Sequence, residues 1–111
     1  MTDNAQAEAI RDLNDKFRRT LTVGTLLLTA GVVALGAEAQ ARIIETVRAF
    51  DSFTPDNDPY GEHDFGSVEV DGEKIFFKFD YFDLNRAMHS EDAADPSKTE
   101  RVLTIMLASE Y

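Results

Sequence analysis

The clearest structural signal in the chain is Ser67-Val-Glu-Val-Asp-Gly-Glu-Lys-Ile-Phe-Phe-Lys-Phe-Asp-Tyr81. Two runs in which apolar and polar residues alternate flank Asp71-Gly72, a pair typical of a two-residue β-hairpin turn. Such a turn fixes the register, so that Val68 faces Ile75 across the hairpin. Because side chains alternate along a strand, one face of this hairpin is predicted to be core: Val68, Val70, Ile75, Phe77, Phe79 and Tyr81.

Helical patterns precede the hairpin. Ile10, Leu13 and Phe17 recur at helical spacing and predict a helix over 4–19, with Asp3 as its N-cap and Asp15 turned toward solvent. A second helix is predicted over 37–50, where a stripe of apolar residues meets the core face of the hairpin: Ile43, Ile44, Val47 and Phe50.

Two shorter segments complete the predicted fold. The apolar run 25–29 lies between two glycines and predicts a buried strand. Residues 101–107 carry features of both a strand and a helix; we favour a strand, because a two-stranded hairpin alone is marginally stable. We therefore predict a single domain over 1–111 of the α+β class, with two helices packed on a small, mainly antiparallel sheet that contains the 67–81 hairpin.

Composition excludes several functional classes. The chain has 111 residues and no cysteine, which excludes disulfides, thiolate catalysis and Cys-ligated metal sites. Its net charge of −10 argues against direct binding to nucleic acid, because that binding needs Lys and Arg to neutralise phosphates. An acidic protein can instead bind a basic groove on another protein.

The apolar run Leu21–Leu35 resembles a signal peptide, because Lys16-Phe-Arg-Arg19 precedes it. It is, however, interrupted by glycine and threonine and is too short to span a bilayer. We expect a strand and a turn there, and a cytoplasmic protein without a membrane partner.

The segment 51–64, between the second helix and the hairpin, carries five acidic residues and no Lys or Arg. It opens the half of the chain in which fifteen Asp or Glu face five Lys or Arg, whereas residues 1–50 hold six of each kind. Polar loops beside a packed scaffold are frequent binding sites. The residues predicted to bind a partner are Asp51, Asp56, Asp58, Tyr60, Glu62, Asp64, Glu91, Asp92 and Asp95.

His63 allows three interpretations. If hairpin pairing reaches it, His63 faces Asp80, and with Glu62 the three could perform acid–base catalysis. In the second interpretation the segment binds a divalent metal, with His63, Asp56, Asp58 and Asp64 as its ligands. The sequence implies no other cofactor. In the third, the ring binds a carboxylate and only locks the loop.

Several strings along the chain resemble one known family. They include Asn14-Asp-Lys-Phe-Arg18, Asn57-Asp-Pro-Tyr-Gly-Glu-His-Asp-Phe-Gly66 and Arg101-Val-Leu-Thr-Ile-Met106. The chain is similar to a family of short alphaproteobacterial proteins catalogued as a domain of unknown function. The resemblance implies no catalytic residues and no cofactor. It implies a setting on plasmids and integrative elements, near genes suspected of blocking host defence.

Charge and resemblance together predict a small acidic interaction or regulatory protein. It would inhibit a host defence nuclease or nucleic-acid-binding complex, in the manner of an anti-CRISPR protein, by placing carboxylates in a basic groove. The alternative is a small metal-dependent or acid–base hydrolase centred on His63.

Overall fold

Four strands, three α-helices and a final 3-10 helix (Ala108–Glu110) follow one another in the computed structural model, which describes residues 4–111. The helices are α1 (Asn4–Thr20), the short α2 (Ala30–Val33) and α3 (Ala37–Ala49). The strands are β1 (Thr25–Leu28), β2 (Phe65–Val70), β3 (Glu73–Phe82) and β4 (Glu100–Leu107), and they form one sheet in the order β1-β4-β3-β2. The predicted α+β class is confirmed.

The hairpin of β2 and β3 forms as predicted. Val68 pairs with Ile75, and the paired region extends slightly beyond the predicted strand ends. Asp71 and Gly72 have φ angles of 55° and 82°, the two positive values that a type I′ turn requires. Asp71 also accepts a hydrogen bond from Arg42 Nη2 at 2.7 Å, which fastens the turn to α3.

Residues 101–107 form a strand, as we favoured, and β4 lies between β3 and β1. Its pairing with β3 is antiparallel, but its pairing with β1 is parallel. The strand expected over 25–29 forms as β1, but the expectation that it is buried is wrong. β1 has a neighbour on one side only, and its Leu27 is 49 % exposed.

The core lies between the sheet and the two long helices. The ring of Phe17 on α1 contacts Phe79 edge-on at 6.0 Å, and Phe50 contacts Phe77 at 5.4 Å between centroids. Leu13, predicted to be in this layer, is only half-buried. The buried residues of this core come from helices and strands alike and include Ile10, Phe17, Val32, Ile43, Val47, Ile75, Phe77, Phe79, Leu103 and Ile105.

The apolar run Leu21–Leu35 supplies β1 and α2 to this fold. The sequence did not predict α2, because a four-residue helix is too short to show a periodic pattern. Within residues 4–111, no helix combines the length and the apolar character needed to cross a membrane. The predicted N-cap, Asp3, lies outside the described residues.

Candidate functional site

The acidic loop, residues 51–64, leaves α3 and returns to β2 around a compact turn. The backbone N–H of Thr54 donates to Asn57 Oδ1 at 2.8 Å, and that of Asn57 donates to Thr54 Oγ1 at 3.3 Å. The Asn57 side chain also donates to the carbonyl oxygen of Ser52. These bonds within the loop give it a defined shape, as side-chain-closed turns of Asn and Thr do.

His63 lies where the acidic loop enters the sheet. Pairing with β3 continues as far as Asp64, whose carbonyl oxygen accepts from the Phe79 N–H at 2.9 Å. His63 then has a φ of 55°, a left-handed conformation that is uncommon outside glycine, and the chain turns there toward α1. The expected pairing of His63 with Asp80 is therefore wrong. Asp80 instead accepts a hydrogen bond from Lys78 Nζ at 2.8 Å.

The imidazole ring of His63 is held on three sides. Its Nδ1 lies 2.9 Å from Asp15 Oδ1 on α1, and its Nε2 lies 3.6 Å from Asp58 Oδ2. One face stacks on Phe53, with centroids 3.8 Å apart and ring planes within 5° of parallel. The ring thus ties the acidic loop to α1. For this reason the Asp15 side chain, which we expected to face solvent, is only 13 % exposed.

A buried polar network centres on Asn14 of α1, which is 0 % exposed. Its Nδ2 donates to the carbonyl oxygen of Glu62 at 3.0 Å, and its Oδ1 accepts from Arg101 Nε at 2.7 Å. Arg101 in turn donates through Nη2 to the carbonyl oxygen of Ala93 at 2.6 Å. Ala93 belongs to the second loop, residues 83–99. One side chain of α1 therefore connects the acidic loop with the second loop.

Burial shifts the pKa of several groups in this network. The Tyr81 hydroxyl accepts from Asn14 Nδ2 at 2.8 Å and donates to Glu62 Oε1 at 3.1 Å. Burial raises the pKa of Tyr81 and of the Glu62 carboxyl, and it raises the pKa of Asp64 in the same way. Burial also lowers the pKa of Arg101, which remains a cation because guanidinium does not deprotonate in proteins. Glu62 and Asp64 are thus weaker acids than exposed carboxyl groups.

Arg18 fixes the start of the acidic loop. Its Nη1 donates to the carbonyl oxygens of Val47, Arg48 and Phe50 at 3.0, 3.1 and 2.6 Å. Its Nη2 donates to Asp15 Oδ1 at 3.0 Å. The last carbonyl groups of a helix lack partners within the helix, and Arg18 satisfies them at the end of α3. The chain therefore enters the acidic loop from a fixed position beside α1.

The residues predicted to bind a partner fall into three groups. Asp58 is buried, and Glu62 and Asp64 are half-buried, so these three serve largely within the molecule. Asp92 and Asp95 of the second loop are half-buried and accept local backbone hydrogen bonds. The exposed members of the set are Asp51, Asp56, Tyr60 and Glu91.

The proposed metal ligands do not form a metal site. His63 lies close to Asp58, but Asp56 is exposed on the turn of the loop. Within residues 4–111, no three His, Asp or Glu side chains are arranged so that they could hold a metal ion. The geometry therefore gives the metal interpretation of His63 no support.

Three central residues of the network were not singled out from sequence: Asn14, Arg18 and Arg101. One signal was present, because Asn14 lies four residues after Ile10 and three before Phe17, on the apolar stripe of α1. A polar residue at a core position needs a buried partner. Arg101 gives no comparable signal, since a charged residue at the start of a strand is ordinary.

A known protein family matches most of the chain. Residues 28–110 match the family model described as "Protein of unknown function (DUF3768)". The chain belongs to this family. The range matched to DUF3768 includes both loops, His63 and Arg101, whereas Asn14 lies before it. No curated protein and no solved structure matches the chain.

Proposed function

We propose that this DUF3768 protein is a small acidic interaction protein that binds a basic groove on another protein. The observation that carries the proposal is the attachment of both loops to Asn14. The acidic loop is held through the carbonyl oxygen of Glu62, and the second loop through Arg101 and Ala93. Loops fixed in this way present their charges in one arrangement, so that binding does not have to order them first.

The charges available for binding lie on the outer parts of the loops. Asp51 and Asp56 are exposed and form no ion pair with any residue of 4–111. In the second loop, hydrogen bonds from Ser97 lower the pKa of Asp95, which keeps that carboxylate ionised. Opposite charge on a partner accelerates association and selects among partners, so a basic surface is favoured.

We further propose that the partner is a nuclease or nucleic-acid-binding complex of a host defence system. A groove that neutralises phosphates is basic, and fixed carboxylates can occupy it in place of nucleic acid. The family resemblance supports this setting, since members tend to occur on mobile DNA near genes suspected of blocking host defence. In this anti-CRISPR-like role the protein acts in the cytoplasm and contacts neither nucleic acid nor membrane.

In this proposal His63 has a structural role. Both of its ring nitrogens face carboxylates, those of Asp15 and Asp58, and its side chain is 23 % exposed. A hydrolase centred on His63 would need a ring nitrogen free to move a proton, and Asp80, its expected supporting residue, is bonded to Lys78. The interaction protein is therefore the better supported of the two functions.

Capture at rising salt concentration tests the proposal. The immobilised protein is incubated with lysate from cells that carry a nuclease-based defence system, and retained nuclease subunits are quantified. We expect a nuclease subunit to be retained at low salt and released as salt approaches about 1 M, where charges are screened beyond about 3 Å. A subunit retained equally at every salt concentration, or no retained subunit, would contradict the proposal.

A further inference from the structure

A half-enclosed hollow of about 450 Å³ lies between α1, the residues before β1, the second loop and the start of β4. Apolar side chains make up much of its wall: Leu13, Phe17, Val23, Leu84 and Pro96. Val23 and Leu84 are largely exposed, although each belongs to a residue type that usually packs inside proteins. This volume falls within the range of small-molecule sites, roughly 300–1,000 Å³.

Arg101 contributes a cation to the lining of the hollow. It is 5 % exposed, and no carboxylate oxygen of residues 4–111 lies within 4.0 Å of its guanidinium nitrogens. Its Nε and Nη2 donate to Asn14 and Ala93, but Nη1 donates to no atom of the described residues. Glu62 attracts this cation only from beyond ion-pair distance. A buried cation without an ion-pair partner is costly, because it has lost much of its hydration.

Two cations of the hollow have no ion-pair partner among the described residues, and its one lining carboxylate is already paired. Lys16, which also lines it, forms no ion pair within the described part of the chain. Glu100 is the one carboxylate in the lining; it accepts from Thr25 Oγ1 at 2.5 Å and lies 3.2 Å from Arg86 Nη2, which neutralises it. A locally positive hollow thus opens on a molecule whose net charge is −10.

We propose that this hollow binds a small organic anion. The apolar body of the ligand packs against Leu13, Phe17 and Leu84, and its carboxylate or phosphate group binds Lys16 and the free edge of Arg101. Mostly apolar walls with a few convergent polar groups are the usual composition of such sites. The inference is independent of the proposed function.

A small ligand fits the electrostatics better than a polyanion does. The field of an acidic molecule repels a long anionic chain over its whole length. A single anionic group experiences mainly the nearest charges, because salt screens charges beyond about 8–10 Å. The two cations of the hollow are within that range of any group bound there, so one carboxylate or phosphate is the matched charge.

Backbone NMR titration tests the proposal directly. Octanoate and octyl phosphate are added to the isotope-labelled protein, and the neutral 1-octanol serves as the control of equal chain length. We expect saturable shifts of the amide signals of Val23, Gly24 and Leu84 with at least one of the two anions, which also shows the preferred head group. The alcohol should bind roughly ten- to a hundredfold more weakly, as expected for the loss of a charge-assisted hydrogen bond.

Two variants sharpen the test without disturbing the core. Lys16→Gln removes an exposed cation of the hollow, whereas Lys74→Gln removes an exposed cation on the hairpin. The first should weaken anion binding and leave binding of the alcohol unchanged, and the second should change neither. The proposal is overturned if neither anion gives saturable shifts at these amides, if the alcohol binds as tightly as the anions, or if Lys16→Gln has no effect.

Discussion

Both ends of the Asn14 side-chain amide form hydrogen bonds. Its amide nitrogen donates twice, to Glu62 and Tyr81, and its oxygen accepts from Arg101. An aspartate could not donate to Glu62, and a leucine would leave the Glu62 carbonyl oxygen and Arg101 Nε without these partners. The side chain is therefore specified by its surroundings, although it stands on the apolar stripe of a helix.

Replacing Asn14 with alanine should destabilise the fold markedly. Each buried polar group left without a partner costs about 1–3 kcal/mol, and Asn14→Ala strands groups on Glu62 and Arg101. Urea denaturation measures the loss, with Asn85→Ala as the control, because Asn85 is exposed. Equal unfolding midpoints for the two variants would show that the network contributes nothing to stability.

Glu62 makes stability depend on pH. Burial raises its pKa above the ordinary value of 4.5, so the folded state holds the proton more tightly than the unfolded state. This contribution favours folding at low pH and is lost as pH rises through the raised pKa. Glu62→Gln keeps the acceptor for Tyr81 and removes the charge, so at neutral pH it should unfold at a higher urea concentration than the parent.

The gain from Glu62→Gln should shrink as pH falls toward 4.5 and vanish below it, because Glu62 of the parent is then protonated in both states. Urea midpoints at neutral pH and below pH 4.5 provide the comparison. Glu38→Gln is the control, since Glu38 is exposed. A gain of the same size at both pH values would mean that the buried charge is not its cause.

The hairpin of β2 and β3 contacts the two long helices and β4. Its turn is fastened to α3 by Arg42, its core face packs on both long helices, and β3 pairs along its length with β4. Gly66 of β2 lies under the ring of Phe77, so closely that a Cβ there would overlap the ring. The hairpin is thus tightly packed on its core face, whereas Phe76 on the other face is only half-buried.

Because the two faces differ in burial, replacing each of two adjacent phenylalanines with alanine should lower the free energy of unfolding by different amounts. Phe77 is fully buried, and Phe77→Ala should cost about 3–5 kcal/mol through the cavity that it leaves. Phe76 lies half-buried on the opposite face, where its neighbours include Phe65 and Tyr111, and Phe76→Ala should cost clearly less. Chemical denaturation of the pair decides whether the faces are correctly assigned, because a larger loss for Phe76→Ala would reverse them.

Sequence predicted those elements whose signals are local. The alternation of residues and Asp71-Gly72 were sufficient for the hairpin and its register, and apolar spacing was sufficient for α1 and α3. The edge position of β1 was not predictable, because it depends on which strand pairs with β4. The partner of His63 was missed for the same reason: Asp15 is 48 residues away and meets it only through tertiary packing.

At the scale of the whole molecule, charge is distributed unevenly between inside and outside. The cations Arg18 and Arg101 are buried and hold loops in place, while the exposed parts of those loops carry Asp51, Asp56 and Glu91. Because these two arginines are used inside the molecule, they do not offset negative charge at the surface. The exposed part of the acidic loop therefore carries negative charge without an ion-pair partner, whereas Glu91 of the second loop lies 3.6 Å from Lys98 Nζ.

Affinity for a captured nuclease tests most directly whether both loops act as one binding surface. Three charge-matched variants are compared: Asp51→Asn with Asp56→Asn, Glu91→Gln with Asp95→Asn, and the control Glu38→Gln with Glu73→Gln on exposed sites elsewhere. Each removes two negative charges. We predict that both loop variants weaken binding at low salt and that the control does not. Equal weakening by all three, or binding unchanged by either loop variant, would contradict the account.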